Sequence, residues 1–132
     1  MEKAVVHPKV ENMTYIKLSP MIYTKELKPT IEFYTSVLGF NYNGQDLSNG
    51  WVSLEKDGVQ LMAALPNEHL PFSQPQFTGS FYFHVDDATS IWNQVKNQTK
   101  ICYPIEDFDY GIREFAIYDN NGYMLQFGEE LK

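Results

Sequence analysis

The side chains able to do chemistry are few and far apart. Cys102 is the one cysteine; it follows Ile101 in an apolar run with no base beside it, which points to a buried, inert thiol and not to a nucleophile. The three histidines, His7, His69 and His84, fall in separate stretches and form no cluster with metal-ligand spacing. His7 belongs to an N-terminal arm and His69 to a linker, where solvation is the plain reading. There is no glycine-rich phosphate loop, no CxxC pair and no nucleophile elbow. Glu106, Asp107 and Asp109 could attract a cation, although a charged loop is more often just solvated. Binding chemistry is better represented: aromatic residues make up 15% of the chain, more than a core of this size needs, so some should face a ligand or partner.

Composition narrows the partner. With 132 residues and 43% hydrophobic content the chain fits one domain with a real core. Its net charge of −7 argues against nucleic acid or an anionic membrane surface and is compatible with a neutral or cationic small molecule. A single cysteine permits no internal disulfide. The N-terminal Met-Glu-Lys-Ala lacks the apolar run of a signal peptide. No stretch approaches the roughly 20 apolar residues that span a bilayer. A soluble, cytoplasmic protein is expected.

The elements that must position any site are repeated. Trp51-Val-Ser-Leu-Glu-Lys-Asp-Gly58-Val-Gln-Leu-Met62 and Phe115-Ala-Ile-Tyr-Asp-Asn-Asn-Gly122-Tyr-Met-Leu-Gln126 share an apolar run, a polar turn ending in glycine and a second apolar run. Two modules follow, about 14–65 and about 80–129, joined by a linker over 66–79 that holds three prolines and no period. In the first, the pattern predicts a strand over 15–24 interrupted at Pro20. A helix follows, with Pro29 in its first turn, Ile31, Tyr34 and Leu38 as its stripe and Gly39 at its end. A strand over 40–43 and a hairpin of 51–55 with 59–65 complete the module. In the second, a strand over 80–85 precedes a helix capped by Asp86 or Asp87 with Ala88, Ile91, Trp92 and Val95 inward. A strand over 100–103, a loop over 104–111 and a hairpin of 112–119 with 123–128 complete it.

Three runs carry a family resemblance: Thr30-Ile-Glu-Phe-Tyr-Thr-Ser-Val-Leu-Gly-Phe40, Phe83-His-Val-Asp-Asp87 and Tyr110-Gly-Ile-Arg-Glu-Phe-Ala-Ile-Tyr-Asp-Asn-Asn-Gly122. The chain resembles the vicinal oxygen chelate superfamily over about residues 15–129, and within it the glyoxalase and bleomycin-resistance proteins. The resemblance implies an α+β fold in which two βαβββ modules form an open, mixed eight-stranded cupped sheet. It leaves function open, because the superfamily contains isomerases, ring-cleaving dioxygenases, thiol transferases and proteins that only bind a drug.

In its enzymes, one residue from the first and one from the last strand of each module hold a divalent metal. Counting from the charged turns and the hairpin glycines, those positions fall on Ser19, Met62, Ser80 and Gln126. Neutral hydroxyls and a soft thioether are poor ligands for Mg²⁺, Fe²⁺, Ni²⁺ or Zn²⁺, and only Gln126 offers a suitable carbonyl oxygen. A register shift of one residue brings in Leu18, Pro20, Phe81 or Leu61, which is no better. The expectation is a cleft with no metal, no cofactor and no catalytic residue.

Strand alternation sets the walls of that cleft. Ser19, Met21, Tyr23, Gln60, Met62, Ala64, Ser80, Tyr82, His84, Met124 and Gln126 share the face away from the helices, and Ile22, Leu61, Ala63, Phe81, Phe83, Leu125 and Phe127 share the core face. His84 should look toward the cleft rim, solvated or satisfied first and ligand-contacting second. By resemblance, Tyr110 stands where a stacking aromatic is found, and Trp51 offers a second stacking surface, or equally a core or dimer contact. The resemblance also implies a homodimer. The reading is metal-free binding of a small molecule, with a cationic aromatic antibiotic as the candidate ligand; the alternative is a metal-dependent glyoxalase-like lyase or dioxygenase.

Overall fold

A computed structural model describes residues 13–67 and 72–132, so His7 and His69 lie outside the described residues. Among the described residues, eight strands fall into two four-stranded sheets of the same design. The first has the order β1 (Met21–Tyr23), β4 (Val59–Ala64), β3 (Trp51–Lys56), β2 (Asn41–Tyr42). The second has the order β5 (Phe81–His84), β8 (Met124–Glu130), β7 (Ile112–Tyr118), β6 (Lys100–Phe108). In each, the first strand lies parallel to the last and the other pairs are antiparallel. The parallel registers also correspond: Met21 pairs with Met62, and Tyr82 with Gln126. Ser19 and Ser80 therefore each stand two residues before the partner of the last-strand position.

Local chemistry explains most boundaries. Asp57 and Gly58 both take positive φ, 50° and 82°, as the tight two-residue turn of the β3–β4 hairpin demands. Helix α1 (Leu27–Glu32) continues into a wide π turn (Phe33–Val37) and stops at Gly39, whose φ is 78°. Its buried side is Leu27, Thr30, Tyr34 and Leu38; Ile31 packs at the margin instead. Helix α2 (Ala88–Val95) starts at Asp87, whose carboxylate accepts from the Ser90 N–H, while Glu129 accepts from the Ala88 N–H at 2.9 Å.

Two boundaries differ from expectation. The strand expected over 15–24 is only Met21–Tyr23, because Pro20 has no N–H to give to a ladder; Tyr15, Ile16 and Leu18 ahead of it are exposed. The loop expected over 104–111 is mostly strand. β6 passes through Pro104 to Phe108, with irregular register between Tyr103 and Glu106, as an edge strand tolerates. Only a tight turn with φ 83° at Gly111 remains of it.

The core crosses both modules. Ile22, Val52, Leu54 and Leu61 from the first sheet join Val95, Phe115, Ile117 and Leu125 from the second half in one buried cluster. This agrees with the predicted core face. Much of the aromatic content is used here: Phe33, Tyr34, Phe40, Phe83, Phe127, Phe115 and Trp92 form an unbroken succession of ring contacts with centroids 5.0–6.3 Å apart. Such pairs each add about 0.5–1.5 kcal/mol beyond area burial. Polar bonds close the seam as well. The Tyr34 hydroxyl donates to Asp119 Oδ2 at 2.7 Å, the Tyr123 hydroxyl donates to the Tyr23 carbonyl at 2.9 Å, and Thr24 donates to Asn121 Oδ1 at 2.8 Å.

Candidate functional site

On the outer face of the first sheet, Ser19, Gln60 and Ser53 form one polar row. Ser19 Oγ donates to Gln60 Oε1, and Gln60 Nε2 donates to Ser53 Oγ at 2.7 Å. Met62, half-buried, pairs with Met21 on one side and Ser53 on the other. Trp51 stands two residues from Ser53 along β3, on the same face and partly exposed, opposite Ala64.

The second sheet carries a denser arrangement, centred on Glu114, which in the sequence stands out only as part of a fold-marking run. Glu114 on β7 is 5% exposed. Its Oε1 accepts from the Tyr82 hydroxyl at 2.7 Å and the Tyr110 hydroxyl at 3.3 Å; its Oε2 accepts from the Tyr103 hydroxyl and, at 3.5 Å, from Gln126 Nε2. Gln126 Nε2 also donates to the Tyr103 oxygen at 2.7 Å, and Ser80 Oγ donates to Gln126 Oε1. Buried charge is costly unless it is hydrogen-bonded, and phenol donors meet that cost here. Glycine makes the arrangement possible. Gly128 pairs with Glu114 across the ladder, and a Cβ on it would lie 1.9 Å from the Tyr82 hydroxyl oxygen. The sequence signal for Glu114 is its parity: Phe115 and Ile117 face the core, so Glu114 and Ala116 face Gln126.

The carboxylate leaves its mark on the phenols. Burial first, then hydrogen bonding and proximity to Glu114, push Tyr82 up to about 12. Tyr103 is raised further, again chiefly by burial, and Tyr110 is raised in the same direction.

Of the expected site residues, Ser80, Tyr82, Tyr110 and Gln126 meet around Glu114, and His84 leans on the Tyr82 ring at 5.0 Å. Ser19, Met62 and Trp51 belong to the other sheet; among the described residues no hydrogen bond or ring contact joins them to this group. Cys102 is half-buried and interacts with Tyr118, where a buried thiol is expected from the sequence. Of the acidic loop, Asp107 is held by Arg113, with Nε to Oδ1 at 2.7 Å.

The four positions that the resemblance assigns to a metal, Ser19, Met62, Ser80 and Gln126, do not fit one. Ser19 and Ser80 are neutral hydroxyls already donating, Met62 is a thioether, and the Gln126 carbonyl oxygen already accepts from Ser80. Among the described residues no group of three or more His, Cys, Asp or Glu side chains is placed to hold a metal ion. Two cavities lie elsewhere. One, of about 500 Å³, is lined by Tyr23, Phe72, Phe77, Phe81 and Tyr123 among others. Another, of about 720 Å³, runs between the end of the π turn at Val37–Phe40, the Lys56–Asp57 turn and α2 with the turn ahead of it, with His84 in its wall. Glu114 lines neither of them.

No helix among the described residues is long and apolar enough to cross a membrane. The family model of the Glyoxalase/Bleomycin resistance protein/Dioxygenase superfamily matches residues 17–127. A search of curated proteins finds no match. Among solved structures, the chain is similar to TioX from Micromonospora sp. ML1, with TM-score 0.70, 16% identity, and coverage of 89% of this chain and 100% of that one. It is similar to a glyoxalase/bleomycin resistance protein/dioxygenase from Nocardioides, with TM-score 0.69, 14% identity and coverage of 94% and 90%. It is similar also to lactoylglutathione lyase from Agrobacterium tumefaciens, with TM-score 0.67, 18% identity and coverage of 88% and 94%. At these identities the likeness is one of fold.

Proposed function

Since this chain belongs to the Glyoxalase/Bleomycin resistance protein/Dioxygenase superfamily, we propose that it binds a small molecule on its outer sheet faces without a metal, and that a cationic aromatic antibiotic is the ligand to test first. The observation that carries the reading is the use already made of Gln126. Its carbonyl oxygen accepts from Ser80 and its amide donates to Tyr103, so the one hard donor of the four metal positions is turned into part of a hydrogen-bonded wall. A wall of phenols, amide and carboxylate suits a planar, polar ligand. The net charge of −7 favours a cation. Binding would then be stoichiometric, with no bond broken.

A homodimer is part of the proposal. Tyr15, Ile16 and Leu18 stand exposed just ahead of β1, where a second copy would cover them. Sedimentation at micromolar concentration should give twice the chain mass. For the site, metal analysis of purified protein is paired with a calorimetric titration of a bleomycin-type glycopeptide. Absence of metal with saturable one-to-one binding is the expected result. Stoichiometric Ni²⁺, Zn²⁺ or Fe²⁺ would overturn the metal-free reading and favour the lyase or dioxygenase alternative.

A further inference from the structure

On the tyrosine face of the second sheet, Glu114 forms no ion pair with a cation among the described residues. Glu114 is buried, its acceptor positions are filled by neutral donors, and its cross-strand partner on β6 is a second carboxylate, Glu106. Like charges directly opposite on a ladder repel. The one basic residue next in sequence, Arg113, is engaged with Asp107. Around this charge the rings form a corner. Tyr103 meets Phe108 at 90°, and Tyr110 lies parallel on Phe108 at 6° with centroids 5.3 Å apart. The ring planes of Tyr103 and Tyr110 are thus near a right angle, with Phe108 touching both, and both hydroxyls end on Glu114. Tyr110, 63% exposed, is the accessible ring of this corner, and Tyr103 and Phe108 are half-buried behind it.

We infer that this corner is a subsite for an alkylated ammonium group, held by ring faces and by the charge of Glu114; the inference rests on the small-molecule-binding reading above. The filled acceptor positions choose among cations. A guanidinium needs two free carboxylate oxygens for its paired hydrogen bonds, and Tyr82 and Tyr103 hold both. A hard metal ion would require several oxygen ligands, and neutral phenols are weak ones. A tertiary or quaternary ammonium needs neither, since it is attracted through space by the aromatic quadrupole and by the nearby anion.

Choline and 3,3-dimethylbutan-1-ol have the same shape and differ in the charge at one atom, so they isolate this term. Titration of the isotope-labelled full chain, followed by amide shifts at Gly111, Glu114 and Gly128, should show choline bound more tightly by on the order of tenfold. Glu114→Gln should abolish the preference, and Glu106→Gln, at an exposed position, should weaken it without touching the tyrosine bonds. Methylguanidinium should bind less well than choline. Equal affinity for choline and the alcohol on this face, or an unchanged preference in both variants, would overturn the subsite while leaving the small-molecule reading in place. No shift with any probe, together with no binding of the glycopeptide, would overturn both.

Discussion

Tyr82 lies across Gly128, in the space that any other residue's Cβ would fill. Only 1.9 Å would separate that Cβ from the phenol oxygen, far inside contact distance, so the bond from Tyr82 to Glu114 depends on a missing side chain one strand away. Gly128→Ala must push the ring out and leave the buried carboxylate short of a donor. The expected cost is about 1–3 kcal/mol in chemical denaturation. Tyr82→Ala and Gly128→Ala combined should cost clearly less than their sum; simple additivity would show that the two residues do not compete for space.

The phenols predict an alkaline signature. Tyr82 sits at about 12, above the ordinary tyrosine value near 10. Its neutral form is favoured in the fold, so its contribution to stability is intact below about pH 10 and is lost as pH rises through about 12. Phenolate absorbance should show a late-titrating class that shifts toward lower pH in Glu114→Gln, with the part caused by burial remaining. A titration unchanged by that substitution would remove Glu114 as a cause.

Asp119 supplies an acid-side counterpart. Its Oδ1 accepts from the N–H groups of Asn121, Gly122 and Tyr123, each at 2.9 Å, and its Oδ2 from Tyr34 at 2.7 Å. Burial outweighs those bonds and raises its carboxyl above the usual aspartate value of about 4. The protonated form is therefore favoured in the fold: the contribution is complete below about pH 4 and is lost as pH rises through the folded value. Asp119→Asn keeps the turn's acceptor and should flatten that part of the pH–stability curve. Asp119→Ala removes four bonds and orphans three donors, since the Gly122 N–H keeps the backbone carbonyl of residue 119, and should cost about 2–4 kcal/mol by thermal or urea unfolding.

Tyr110 tests the ligand wall. Its ring lies on Phe108 and exposes its other side, so Tyr110→Ala should leave folding nearly unchanged and weaken glycopeptide binding by about 1–3 kcal/mol in calorimetry. Unchanged affinity would place the stacking surface elsewhere.

The sequence shows the frame of this protein more readily than its site. Alternation along short strands sorts Ile22, Leu61, Leu125 and Phe127 inward, because a period of two is a local property. Pro20 and Pro104 mislead in opposite directions. One truncates a strand expected to be longer, and the other is absorbed by an edge strand expected as a loop, an outcome set by which neighbours the sheet supplies. Glu114 is plain to see within Arg113-Glu114-Phe115, but nothing adjacent in sequence says that Tyr82, Tyr103, Tyr110 and Gln126 will aim at it. Its partners come from four separate positions in the chain, and Gly128 is informative only once Tyr82 is known to cross it. Trp51 and Tyr110, matched as a stacking pair by residue type, stand on different sheets.

The ring succession from Phe33 to Trp92 makes the two repeats interdependent. Neither half holds a finished interior, since Phe40 meets its next ring at Phe83 and the Tyr34 hydroxyl finds its acceptor at Asp119. Separated, each half would present aromatic faces to water and a phenol or a carboxylate without its partner. The two copies therefore unfold as a single cooperative body, and damage to either interior is felt at the opposite sheet.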